Sequence, residues 1–200
     1  MSWTTRARER DGEAKPLRLF IAAEVPDRIK AGLAQAMAPQ RGRLSEARWT
    51  REDSWHVTLK FLGSTRPRLL STVEDAVREA AAGAEPFDTA LTVMGVFPSP
   101  ARARVVWAGL ADPKERFAGI ARALDESLQD YFVPEDRDLT PHLTLARLSP
   151  ARAIGEFAPD LVGFPVKSKP FTVDHLTLYR SHLSPHGARY EPLLQAPLGG

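Results

Sequence analysis

Cysteine is missing from all 200 residues, which excludes a disulfide framework, a thiolate metal site and a cysteine nucleophile. No apolar run approaches the ~18 residues that mark a membrane-spanning helix, and the first stretch, MSWTTRARERDGEAK, is charged and polar without a signal-like apolar core. A cytoplasmic location and no membrane partner are therefore expected. That stretch, residues 1–15, also lacks periodicity and is expected to be a disordered tail, leaving residues 16–197 as a single domain with room for a substantial core. Charge of one sign is scarce as well: 27 Lys and Arg against 25 Asp and Glu leave a net charge of only +2. Most of the cations are arginine, whose planar fork suits phosphate.

One pattern occurs twice. Trp55-His56-Val57-Thr58-Leu59-Lys60-Phe61-Leu62-Gly63 is echoed 86 residues later by Pro141-His142-Leu143-Thr144-Leu145-Ala146-Arg147. In a strand, side chains alternate between faces, so each His and Thr share one face while Val57/Leu59 and Leu143/Leu145 take the other. Phe61 is expected to share the face of His56 if the strand is regular. Positions i and i+2 stand about 6.5 Å apart, close enough to touch different oxygens of one phosphate-sized group.

The segments around these copies repeat too. Leu17 to Val25 reads as a buried strand, and Pro26 opens a helix with Ile29, Leu33, Ala36 and Met37 inward, ending at Pro39. Arg48 to Arg51 is a possible short strand. The His56 strand is expected to break at Gly63, followed by a helix carrying Val73, Ala76, Val77 and Ala80 and ending near Gly83. Phe87 to Phe97 and Arg104 to Leu110 read as strands, and Pro113 opens a helix with Phe117, Ile120, Leu124 and Leu128. A weak helix is predicted around Ala151 to Phe157. Phe171 to Arg180 then forms one strand, Ser184 to Gly187 a hairpin turn, and Arg189 to Leu194 an edge strand bearing Pro192. Strand, helix and His-x-Thr strand thus occur once per half, which points to an internal duplication with pseudo-twofold symmetry.

Two histidines in one cleft can work as a concerted acid and base, and threonine hydroxyls can donate to phosphoryl oxygens. Arg147, on the second strand alone, can clamp phosphate more strongly. A lone His-x-Thr would more often be structural; the repetition in two strand contexts is what favours function. A metal site would join His56 and His142 to Asp138, Asp174 or His175, but the residues flanking each His are apolar, so no metal is expected. His175 is expected to be structural, and His182 and His186 to be solvated beside a turn. Trp49, Trp55 and Trp107 are core or cleft-wall candidates.

The chain resembles the RNA 2′,3′-cyclic phosphodiesterases, also called 2′-5′ RNA ligases (LigT-like), of the two-histidine phosphoesterase superfamily. The resemblance is carried by RLFIAAEVP at 18–26, RWTREDSWHVTLKFLG at 48–63, TPHLTLAR at 140–147 and FTVDHLTLYRSHLSPHGARYEPL at 171–193. It implies an α+β bilobal fold, with two pseudo-symmetric lobes whose antiparallel sheets line a central cleft and whose helices lie outside. It further implies hydrolysis of an RNA terminal 2′,3′-cyclic phosphate to a 2′-phosphomonoester without metal or cofactor, with reversal as 2′-5′ RNA ligation. By the same resemblance His56 is the general acid and His142 the general base, while Thr58, Thr144 and Arg147 hold the phosphate. The implied partners are RNA 3′ ends or nucleotides bearing the cyclic phosphate; separately, no obvious exposed apolar stripe asks for a protein partner, so a monomer is expected. Two alternatives stay open: a catalytically silent nucleotide or RNA-end binding module, and a phosphodiesterase for a small cyclic nucleotide.

Overall fold

The pattern Leu19-Phe20-Ile21-Ala22-Ala23 lacks polar interruption because both faces of its strand are covered, and β1 (Leu17–Glu24) lies inside a sheet. The computed structural model describes residues 15–136, 138–155, 158–184 and 187–200. The expected tail, apart from Lys15, and His186 lie outside the described residues.

After β1 come α1 (Asp27–Arg43), β2 (Arg48–Trp49), β3 (His56–Thr65), α2 (Leu70–Ala82), β4 (Phe87–Thr89), β5 (Leu91–Phe97) and β6 (Ala103–Leu110). Then follow α3 (Arg116–Leu128), β7 (His142–Arg152), α4 (Ala158–Leu161), β8 (Phe171–Val173), β9 (His175–Ser184) and β10 (Gly187–Pro197). The strand order is β10-β9-β1-β3-β7-β6-β5, with β2 also on β7 and β4 paired separately with β8. All of these pairings are antiparallel. This is the expected bilobal α+β fold: β10-β9-β1-β3 forms one lobe's sheet, β7-β6-β5 the other's, and they meet at a single bridge, Val57 to Leu143.

The duplication is visible in this order. β3 answers β7, β1 answers β6 and β9 answers β5, so the last strand of each half crosses to the other lobe. The break at Asp174 between β8 and β9 matches the break at Ala90 between β4 and β5, which is why each predicted single strand is two.

Helix faces follow the apolar spacing. Ile29, Leu33 and Met37 are buried on α1, Val73, Ala76, Val77 and Ala80 on α2, and Phe117, Ile120, Leu124 and Leu128 on α3. The start of α3 is held by Asp112, whose carboxylate accepts from the Phe117 and Ala118 amides at 2.8 and 3.1 Å. Three boundaries differ from expectation. α1 continues through Pro39, which is exposed, so a carbonyl freed by the missing N–H can turn to water. β3 passes Gly63, whose φ of +62° takes up an irregularity in the pairing with β1 instead of ending the strand. β7 runs on to Arg152 where the sequence suggests a weak helix, whose last two positions, 156–157, lie outside the described residues, and among the described residues one helical turn follows, at α4.

Both His-x-Thr strands carry a bulge one residue after the threonine. In β3 the partners of Ala22 and Ile21 are Thr58 and Lys60, skipping Leu59; in β7 the partners of Trp107 and Val106 are Thr144 and Ala146, skipping Leu145. A bulge reverses the alternation beyond it. Phe61 and Arg147 are thereby brought onto the face of His56 and His142. A regular strand would not have put Phe61 there, contrary to the sequence expectation: an odd spacing of five residues sets it on the face opposite His56, and the bulge is what brings it across. The same shift turns Lys60 inward, where it is 1% exposed and ion-paired with Asp125 of α3. A charge so buried requires that partner.

Gly95 sits opposite Trp107, and a Cβ there would overlap the indole ring. Gly95→Ala should lower stability by about 1–3 kcal/mol, as overpacking does, and should move Trp107. Thermal denaturation and tryptophan fluorescence would register both.

Candidate active site

The bridge between Val57 and Leu143 organises the cleft. Antiparallel counting from it sets His56 towards Thr144 and Thr58 towards His142, with the imidazoles on a diagonal. Diagonal neighbours stand about 7–8 Å apart, a gap matched to one phosphoryl group between two proton carriers. All four side chains are partly exposed on the cleft face, and Arg147 is exposed beyond them. Sequence reasoning named these five residues, and the structure brings them to one cleft. Among the described residues, neither threonine hydroxyl is engaged by another side chain or by the backbone.

Each imidazole is anchored two residues upstream. His142 Nδ1 donates to the Thr140 carbonyl at 2.7 Å, leaving Nε2 as the free nitrogen. His56 is held in the same manner by the backbone of Ser54. Its ring stacks on Phe20 at 4.7 Å and meets Tyr190 edge-on at 5.1 Å, while His142 meets Phe97 edge-on at 5.1 Å. Trp107, partner of Thr144, stacks on Phe97 at 5.0 Å. Trp55 is buried instead, its indole donating to the Thr50 hydroxyl at 2.7 Å. That hydroxyl lies 2.8 and 2.9 Å from the carbonyls of Thr144 and Leu145, tying the segment before β3 to the bulge of β7.

The charges around the two histidines are not symmetric. Burial pushes His56 down to about 4, with Lys30 and His142 adding to the effect and the Ser54 backbone and Glu24 opposing it. Burial also lowers His142, the Thr140 backbone opposes, and the Arg147 guanidinium lowers it further. Both shifts favour the neutral imidazole in the unliganded protein. Glu24 stands opposite His56 on β1, where the second half has Gly109 opposite His142. Burial would raise the Glu24 carboxyl, but it accepts from Tyr179 at 2.6 Å, Thr177 at 3.0 Å and Gln195 at 3.1 Å and faces His175, which together hold it below the usual range.

Glu24 and its aromatic and hydroxyl partners were missed from sequence. The signal available was a carboxylate ending an otherwise apolar strand. His175 lies beside the cleft, with Nδ1 donating to Asp174 at 2.6 Å and Nε2 3.6 Å from Glu24. It supports Glu24 and does not join the histidine pair, as expected. His182 is not simply solvated, because Glu191 lies 2.6 Å from its Nε2 on the neighbouring strand. Among the described residues, no three His, Asp or Glu side chains converge as metal ligands, and no helix is long and apolar enough to cross a membrane.

A cleft between two pseudo-symmetric sheets, each presenting one His-x-Thr pair, is the arrangement of the two-histidine phosphoesterases. The chain belongs to the 2′-5′ RNA ligase superfamily, whose family model matches residues 25–185. It is 32% identical to the RNA 2′,3′-cyclic phosphodiesterase of Methanothermobacter thermautotrophicus, over 87% of this chain and 95% of that protein. Its identity to the Escherichia coli protein of the same name is 28%, over 90% and 96%. Among solved structures it is similar to a protein of Thermus thermophilus, with a TM-score of 0.77, 26% identity and coverage of 92% and 99% of the two chains. Apo LigT of E. coli superposes with a TM-score of 0.72, 26% identity and the same coverage.

The depressed His56 has a consequence for stability. The unfolded chain takes up this proton near pH 6.5 and the folded one only near 4, so stability present above 6.5 is lost as pH falls through that window. Urea denaturation of His56→Gln across the same window should give a shallower pH slope than the wild type.

Proposed function

We propose that the protein hydrolyses a terminal RNA 2′,3′-cyclic phosphate to a 2′-phosphomonoester by general acid and base catalysis from the histidine pair. The observation that carries this is the asymmetry of charge about two otherwise matched imidazoles. Arg147 lowers the His142 pKa, favouring the neutral form that a base must have. His56 is lowered by burial, Lys30 and His142, but it alone has a carboxylate, Glu24, that works the other way and favours the protonated form that an acid must have. In the free protein burial, Lys30 and His142 outweigh Glu24, and the anionic phosphate supplies the further charge that lets His56 hold a proton.

In the reaction, His142 takes a proton from water as its oxygen bonds to phosphorus. The bond from phosphorus to the 3′-oxygen breaks, and His56 gives its proton to that oxygen. Thr58 and Thr144 donate to the non-bridging oxygens, and Arg147 pairs with their developing charge. An RNA 5′-hydroxyl in place of water would give a 2′-5′ linkage by the same proton transfers. The relatives named RNA 2′,3′-cyclic phosphodiesterase support the substrate class.

His56→Ala and His142→Ala should each reduce kcat on a 2′,3′-cyclic-phosphate oligonucleotide by about 10²–10⁴-fold with native circular dichroism, and wild-type turnover should persist in EDTA. Near-normal turnover in both variants contradicts the proposal. Because kcat/KM reports the free protein and kcat the complex, the optimum of kcat/KM should lie below pH 6.5, and that of kcat should lie higher, since bound phosphate raises both histidines. Each profile describes the coupled pair and not a single residue.

A further inference from the structure

Beyond Thr144, the cleft continues into a group of cations that the chemistry above does not use. Arg48 of β2 is paired in register with Arg147 of β7, and cross-strand partners share a face. Its guanidinium lies close to Gly187, the first residue of β10. A Cβ on Gly187, whose φ is +128°, would lie 3.4 Å from Arg48 Nη2. Arg18 joins from the cleft face of β1, two residues before Phe20 in the strand that pairs with β9. Both Arg18 and Arg147 act electrostatically on Tyr190, which therefore lies among them.

These cations are exposed and, unlike Arg43, Arg51 and Arg78, have no carboxylate within ion-pair distance among the described residues. Like charges gathered without counter-charges repel, and an anion relieves that repulsion. Arg147 stands on the catalytic strand and serves the reacting phosphate. Arg48, in register beside it on β2 and close to Gly187, is placed for a second anion. An aromatic ring among guanidinium groups is the means by which single-stranded nucleic acid is held without sequence reading.

Resting on the function proposed above, we infer that Arg48, with Arg18 and Tyr190, forms a subsite for the phosphodiester on the 5′ side of the terminal nucleotide. The protein thereby selects an RNA chain end over a mononucleotide. Gly187, at the start of β10, lies close to the Arg48 guanidinium.

The test measures binding and turnover in parallel. Fluorescence anisotropy with a 5′-labelled short single-stranded RNA ending in a 2′-phosphate, competed by the mononucleotide 2′-phosphate, gives both affinities without turnover. The wild type should bind the RNA at least about tenfold more tightly. Arg48→Gln should bring the two affinities together and reduce the slope of log affinity on log salt by about 0.7, the value of one single-strand phosphate contact. Arg48→Lys should recover part of each. On cyclic substrates, the oligonucleotide-to-mononucleotide ratio of kcat/KM should fall by the same factor. Equal affinities in the wild type, or an unchanged ratio in Arg48→Gln, overturn the subsite and leave the proposed hydrolysis standing. RNA-selective binding that Arg48→Gln removes, in a protein that turns over neither cyclic phosphate, supports the subsite and refutes the hydrolysis.

Discussion

The bridge between Val57 and Leu143 is the constraint on which the rest of the molecule depends. Two sheets that meet at only one residue pair can diverge on either side of it, so the bridge is both the floor of the cleft and the centre of its pseudo-twofold symmetry. The flanking His and Thr of each strand face the opening because the bridging residues face the core, where both are buried. The one-residue bulges then bring the third functional position of each strand onto the same face. Without them Arg147 would point into the core and Lys60 into the cleft.

The duplication supplies a symmetric frame, and substitutions within it supply direction. Glu24 is matched by Gly109, and Phe61 by Arg147. Both histidines meet aromatic rings, but the first has a carboxylate opposite it and the second a guanidinium beside it. On the proposed mechanism, such differences distinguish the proton donor from the proton acceptor. The Lys60–Asp125 pair is the structural counterpart of the bulge in β3, whereas Ala146 at the matching place in β7 needs no partner.

Much of this was legible in the sequence, because the repeated His-x-Thr-Leu and the apolar spacing of the helices are local signals. His56, His142, Thr58, Thr144 and Arg147 were all named from residue type and position. The bulges were not legible, since they leave no mark beyond a lysine at an inward place. Nor were the breaks at Ala90 and Asp174, where apolar alternation continues while the backbone changes partner. Glu24, Tyr179 and Tyr190 meet the site through pairings between distant strands, and their spacing in the chain carries no trace of it. Arg48 was read only as part of a short strand; its register with Arg147 gives it a cleft-facing place.

The central claim is that the charge asymmetry sets His56 at the leaving 3′-oxygen and His142 at the attacking water. The most direct test is phosphorus NMR of the product formed from a 2′,3′-cyclic nucleotide. The account predicts a single 2′-phosphomonoester resonance growing as the cyclic signal disappears. A 3′-phosphomonoester, or a cyclic signal that persists with active-site residues intact, would contradict it.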